Sequence, residues 1–224
     1  MIEVRDLHFT YTGSQFALSV SALDVASGET VAIVGPSGSG KTTLLNLIAG
    51  VALPASGEVL VGGQPLSKQD DSARRLFRIR QIGMVFQGFE LLDYLNVLDN
   101  ILLPLRIGGG LRVTPQARER ATALAEHVGI GDKLRRFPGQ LSQGERQRVA
   151  VSRALLLQPP LVLADEPTGN LDPSNKGLVL ELLLDYVAES GATLLTVTHD
   201  RELISRFARV LDISELNQWS ESGP

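Results

Sequence analysis

The sequence predicts an α/β fold: a mixed sheet core with an antiparallel β subdomain and an inserted α-helical subdomain. Three observations predict it. Short apolar runs with strand character fill residues 1–34 and return near 57–63, 82–86, 161–164 and 192–198. The glycine-rich octapeptide 35–42, with the pattern G-x-x-x-x-G-K-[ST], lies between an apolar strand and a helical pattern. From about 88 to 157 strand character gives way to helical periodicity.

Residues 2–5, 7–11 and 16–25 alternate apolar and polar positions and read as an antiparallel sheet. They feed an apolar strand at 29–34 that should be buried. After Lys41 a helix is expected from Leu44, Leu45, Leu47 and Ile48, with Gly50 as its stop. Residues 57–63 read as a strand and tight turn. Arg74, Arg75, Arg78 and Arg80 precede the strand at 82–86, and as a group they read as a solvated helix face. Thr114-Pro115 is an N-cap followed by proline at the first helical position, and Gly129 is a C-terminal signal. Gly108 to Gly110 form a connector. The only biased segment is the polar tail after Leu216. The expected organisation is one unit over 1–224, with 1–87 and 158–224 as the core and 88–157 as the helical subdomain.

Composition narrows the chemistry. The chain has 224 residues, 43% hydrophobic and 21% charged, the balance of an ordinary globular protein. A formal net charge of -4 argues against nucleic acid as the main partner. Cysteine is absent, which excludes disulfides, thiolate chemistry and cysteine-ligated zinc. No stretch approaches the roughly 20 apolar residues of a membrane-spanning helix. No signal peptide is evident, so any membrane role is expected to come through a partner subunit.

In the octapeptide, Gly35, Gly38 and Gly40 free the backbone so that successive amides can face phosphate oxygens, with Pro36, Ser37 and Ser39 completing the loop. Lys41 adds a point charge toward β- and γ-phosphates, Thr42 offers a hydroxyl to Mg²⁺, and Thr43 follows in the helix start. Asp165 and Glu166 end an apolar strand, so their carboxylates should emerge where open parallel sheets bind ligands. Asp165 would hold the metal through water, and Glu166 would polarise the attacking water. Gln87 ends another strand and could reach metal and water; alone it reads as a surface residue. His199 follows the strand ending at Thr198 and could contact a γ-phosphate; alone it reads as structural. Tyr11 could stack on a purine, or pack in the core.

A second phosphate-binding helix start lies at 141–145. Ser142 and Glu145 have the spacing of a capping box, and a capped start still presents Gly144 and a dipole end to an external phosphate. One nucleotide needs only one cradle, so two copies of the chain are expected to sandwich ATP.

These residues in this order resemble the ATP-binding subunit of ABC transporters, over nearly the whole chain. The resemblance implies a P-loop ATPase fold, ATP and Mg²⁺ as ligands, and a role for each motif. Tyr11 looks like the adenine-stacking aromatic, 35–42 the Walker A loop, Gln87 the Q-loop glutamine, and Ser142, Gln143, Gly144 and Glu145 the signature acting in trans. Asp165 and Glu166 look like Walker B and the catalytic glutamate, Leu171 and Asp172 part of the D-loop, and His199 the H-loop histidine. The stretches 83–92 and 165–172 resemble the branch serving lipoprotein release and macrolide or peptide export, and amino-acid importers share much of the pattern. The implied partners are a second copy and an integral membrane permease, with the chain peripheral on the cytoplasmic face.

Three departures stand out. Gln143 replaces a usual glycine, Glu145 replaces a usual glutamine, and residues 210–216 lack the usual Asp-Gly hairpin turn. The chain stops soon afterwards, so no extra regulatory domain is expected. Glu145 raises the prospect of negative charge near the partner's phosphates. The apolar run from Phe89 to Leu98 is expected either to help form a groove for a permease helix or to pack in the core. Two other classes match parts of the pattern: a regulatory ATPase gating a membrane partner, and a chromosome-maintenance clamp, for whose long coiled coils 88–157 has no room.

Overall fold

The computed structural model describes residues 1–13, 15–169, 171–200 and 203–217. Asn170, within the 165–172 stretch, and the tail from 218 onward lie outside the described residues.

Two sheets divide the pairing types. β1 (Ile2–Thr10) and β2 (Ala17–Val25) form an antiparallel hairpin. The apolar runs at 2–5 and 7–11 are one strand, not two. Asp6 takes a left-handed φ of 46°, and the register of β1 shifts between Arg5 and His8. That bulge restores Leu7 and Phe9 to the buried face already occupied by Ile2 and Val4. β3 (Thr30–Val34) then leads through the glycine loop to α1 (Lys41–Ile48). β4 (Ser56–Val61) and the two-residue β5 (Gln64–Pro65) complete the antiparallel sheet in the order β2-β1-β4-β5.

α2 (Asp71–Gln81) is capped by Asp70 and precedes β6 (Ile82–Val85). Its arginines differ from the expected solvated face. Arg74 donates to Gln69 O at 2.6 Å and Arg78 to Gly50 O at 2.8 Å, while Arg75 and Arg80 are exposed. Two of these side chains therefore tie α2 to preceding backbone.

The helical stretch follows as α3 (Val97–Ile101), α4 (Leu103–Ile107), α5 (Pro115–His127) and α6 (Gln143–Leu155). Thr114 caps α5 with Pro115 first in the helix, as its sequence predicts. β7 (Leu161–Asp165), α7 (Pro173–Ser190), β8 (Thr193–Thr198), β9 (Arg209–Asp212) and α8 (Ile213–Leu216) return the chain to the sheet.

The second sheet is parallel, in the order β6-β7-β8-β3-β9. β7 and β8 are buried along their whole length, as suits strands of a parallel sheet covered on both faces. Their side chains alternate between two cores. Val162, Ala164 and Leu194 pack with α3 to α7; Leu161, Leu163, Leu195 and Val197 pack with α1 and the antiparallel sheet. The helical stretch thus shares its apolar core with one face of the parallel sheet. Among the described residues no helix is long and apolar enough to cross a membrane.

Candidate active site

The site begins where β3 ends. Gly40 is the N-cap of α1 at φ 97°, a left-handed conformation that favours glycine, and no side chain closes this helix start. Ser39 Oγ donates to Pro36 O at 2.8 Å, which tightens the loop. Lys41 is buried, and its Nζ donates to Gly35 O and Pro36 O at 2.9 and 2.8 Å. The ammonium therefore lies along the loop, beside the uncapped amides.

Three strand ends bring the remaining groups to the same edge. β7 delivers Asp165 and Glu166, β8 delivers His199, and the chain beyond β6 delivers Gln87. Thr42 Oγ1 donates to Asp165 Oδ1 at 3.0 Å. Burial raises the Asp165 carboxyl above its ordinary value, opposed by the Thr42 hydroxyl and reinforced by the Glu166 charge. Glu166 is 9% exposed and holds a left-handed φ of 45°. A non-glycine residue in that conformation is strained and persists only where its surroundings fix it. Its amide donates to Val197 O at 2.9 Å, and its Oε2 accepts the His199 amide at 3.3 Å. His199 Nδ1 lies 2.9 Å from Glu166 Oε1.

A cavity of about 550 Å³ gathers these groups. Ser37, Gly38, Gly40, Lys41, Thr42, Thr43, Gln87, Glu166 and His199 line it, together with Tyr11 and Phe16. Tyr11 is 46% exposed, so it is not core packing. Its hydroxyl is 3.2 Å from Thr43 Oγ1, and its ring meets Phe9 edge-on at 4.7 Å and Phe16 at 5.9 Å. Phe16 is absent from the sequence-based site. Its signal was there: an aromatic five residues from Tyr11 at the start of the next strand.

Among the described residues no cluster of three or more His, Asp or Glu could cage a metal. Mg²⁺ keeps several waters and takes one or two protein oxygens beside substrate phosphates. The Thr42 hydroxyl and Asp165 carboxylate supply such a pair.

The second helix start is built differently. Ser142 Oγ accepts the Glu145 amide at 3.3 Å, and Glu145 Oε2 accepts the Ser142 amide at 2.7 Å. Glu145 Oε1 also lies 3.4 Å from Lys133 Nζ. Its charge is therefore turned onto its own helix start and a lysine. The Ser142 amide lowers the Glu145 carboxyl further than burial raises it. Gln143 is exposed. Gly144 is buried, and a Cβ there would come 2.5 Å from Asn175 Oδ1. Glycine at 144 thus has a packing reason of its own. Asn175 Nδ2 donates to Asp172 Oδ2 at 2.6 Å, and its Oδ1 accepts from Arg148 at 2.8 Å. None of 142–145 lines the 550 Å³ cavity.

A separate apolar groove of about 270 Å³ runs beside α2, α4 and the end of α6, lined by Ile79, Phe86, Leu103, Pro104, Ile107 and Arg153 among others. It is lined chiefly by residues outside the 89–98 run. Val97 is buried, Tyr94 is 75% exposed, and of residues 89–98 only Glu90 lines the groove.

Comparison with known proteins agrees with this geometry. The family model described as ABC transporter matches residues 18–169. The chain is 44% identical over 218 residues to the lipoprotein-releasing system ATP-binding protein LolD of Pseudomonas fluorescens, covering 96% of this chain and 95% of that protein. It is 43% identical over 216 residues to an uncharacterized ABC transporter ATP-binding protein of Mycobacterium tuberculosis, covering 95% and 86% of the two chains. Among solved structures it resembles the dimeric bacterial ABC transporter cassette MJ0796, with TM-score 0.86, 34% identity and 95% of each chain covered. The same cassette as a dimer bound to ADP and Pi gives TM-score 0.85 at 34% identity, covering 95% of this chain and 94% of that one. With an uncapped glycine loop, a carboxylate pair at a strand end and a second, capped helix start, this chain belongs to the ABC transporter family.

Proposed function

We propose that the chain is the ATP-hydrolysing subunit of an ABC transporter of the lipoprotein-release type, closing as a dimer on two ATP–Mg²⁺ and driving a separate integral membrane permease. One observation carries it. Lys41, Thr42, Gln87, Glu166 and His199 line one cavity, whereas 142–145 lies outside it on the same molecule. In this reading 1–87 and 158–224 form the ATP-binding core, and 88–157 is the subdomain that presents Ser142 to a neighbouring copy. Resemblance to LolD supports the transporter type, and to the MJ0796 dimer the pairing.

The residues divide the work. Tyr11 and Phe16 receive the adenine ring, and the 35–43 amides with Lys41 receive the phosphates. Bound Mg²⁺ would neutralise charge on the phosphate oxygens, held by Thr42 and Asp165 with Gln87 at its edge. Glu166 aligns and polarises the attacking water, and His199 holds the Glu166 carboxylate through its amide and ring. Ser142, Gln143, Gly144 and Glu145 of the second copy complete the site. Moving a closure equilibrium from 1:99 to 99:1 takes about 5.5 kcal/mol of differential binding, which two shared nucleotides can supply.

The permease helix is assigned to the groove at Ile79, Phe86, Leu103 and Ile107, on the strength of its apolar lining and the 60% exposure of Ile107. The chain then lies on the cytoplasmic face, peripheral through that contact, with no nucleic-acid partner. The decisive experiment is Glu166→Gln. It should bind ATP, accumulate as a dimer on sizing columns, and lose about 10²–10⁴-fold in turnover, the usual weight of a general base. Turnover at the native rate would remove Glu166 from its role.

A further inference from the structure

A buried guanidinium needs hydrogen-bond partners, because an unpaired charge in the interior is costly. Arg153, near the end of α6, is 8% exposed. Burial pushes it down to about 10, so it stays charged at neutral pH. Both of its terminal nitrogens serve one short stretch of backbone. Nη2 donates to Phe89 O at 2.7 Å, and Nη1 donates to Glu90 O.

Phe89 and Glu90 are themselves unusual. They are consecutive non-glycine residues in the left-handed region, at φ 62° and 49°. An L-residue there crowds its own Cβ against the following carbonyl, so two in a row need an external restraint. Local bonds from the Phe89 amide to Phe86 O at 3.2 Å and from the Glu90 amide to Gly88 O at 2.7 Å close the turn. Arg153 restrains the turn from outside. Only Gly88 separates this pair from Gln87, which lines the nucleotide cavity.

We propose that Arg153 is a positioning residue for Gln87: by clamping the Phe89 and Glu90 carbonyls it holds the loop in a conformation the loop would otherwise leave, and so sets where the Gln87 amide sits. Two features extend the consequence. Eleven residues before Arg153 lies Ser142, about 16 Å away along a straight helix, so α6 joins the second helix start to the Gln87 loop. Arg153 and Glu90 also line the apolar groove, so a helix pressed there touches the clamp directly. The proposal rests on the reading that Gln87 reaches the metal and the attacking water.

The test is a double-mutant cycle on the full-length chain, with Gln87→Ala, Arg153→Met and the two combined. Each single variant should lower kcat about tenfold or more, because small misplacements of a reacting group are expensive, with the KM for ATP little changed. The double variant should be little slower than the slower single one, since both remove the same function. Multiplying effects, or a native kcat for Arg153→Met beside a slow Gln87→Ala, overturn the clamp. A native kcat for Gln87→Ala would instead overturn the reading of Gln87. Amide exchange supplies a readout independent of turnover. The Phe89 and Glu90 amides of Arg153→Met should exchange about tenfold faster or more, with β7 and β8 unchanged, and native protection there also overturns the clamp. Should Arg153→Met not fold, Arg153→Lys takes its place in both arms. Its single ammonium cannot grip two carbonyls in fork geometry, so the same directions with smaller size are expected.

Discussion

Two helix starts in this molecule look alike in sequence and differ in how their amides are spent. α1 begins at Gly40 with no side-chain cap and no acid in its first turn. α6 begins at Ser142 with both halves of a capping box and Glu145 in its first turn. A helix start left open is available to a bound anion, whereas one already capped has less to offer and must act through a hydroxyl, a nearby glycine and the dipole. The first is therefore fitted for tight binding within one chain. The second is fitted for a weaker contact that can be made and broken.

The largest expected effect on nucleotide affinity breaks the stronger side of the contrast. Lys41→Ala removes a charge-assisted donor, a change of about 1.5–3 kcal/mol, so ATP affinity should fall by about tenfold to a hundredfold. The measurement is nucleotide titration at protein concentrations too low for dimers. Ser142→Ala is the matched probe of α6. It should cost about 1 kcal/mol of stability through the lost cap and cut ATP-dependent dimer formation, yet leave ATP affinity of the single chain native. A loss of single-chain affinity as large as that of Lys41→Ala would show that the two starts serve one nucleotide.

Asp165 sharpens the comparison from the carboxylate side. Burial raises its carboxyl, so the folded protein holds that proton more tightly than the unfolded chain does. By linkage, the folded state loses stability as pH rises from the ordinary value of 3.8 through the raised one. In metal-free buffer, Asp165→Asn should therefore melt at or above the native temperature at pH 7, with the gap closing in acid. Its side-chain carbonyl can still accept from Thr42. Turnover should fall, so that function and stability move in opposite directions.

The parts of the site that were legible in the sequence are those whose geometry is local. A glycine loop before a helix, a carboxylate pair after an apolar strand and a capping-box spacing each carry their structure within a few residues. Asn175 and Arg153 were missed because their partners are distant in sequence: Arg153 meets Phe89 and Glu90, and Asn175 meets the Gly144 contact. A signal for Arg153 did exist, an arginine set among Val149, Ala150, Val151 and Ala154 on a buried helix. Which of residues 89–98 turn inward was not legible for a related reason. Residues 89–96 form irregular backbone, where apolar composition has no periodicity to say which side chains turn inward. The antiparallel and parallel strands were both foreseen; their separation into two sheets depends on pairings far apart in sequence.

The smallest expected effect concerns the acid at 145. Negative charge in a helix start that must receive the partner's phosphates looks like a defect, but the Glu145 carboxylate is engaged by the Ser142 amide and by Lys133. Gln at 145 would keep the capping box through its amide oxygen and give up only the charge. Glu145→Gln should therefore leave dimer formation and turnover near native at pH 7. A difference should appear instead in melting temperature, and fade in acid. Because the native carboxyl is depressed, its stabilising contribution is present above the ordinary value of 4.5 and is lost as pH falls through the lowered one. Melting temperatures of Glu145→Gln and the native chain should therefore converge on acidification. A large gain in ATP-driven dimer formation at neutral pH would mean that the charge reaches the partner's phosphates after all, and that the capping box opens when the two molecules meet.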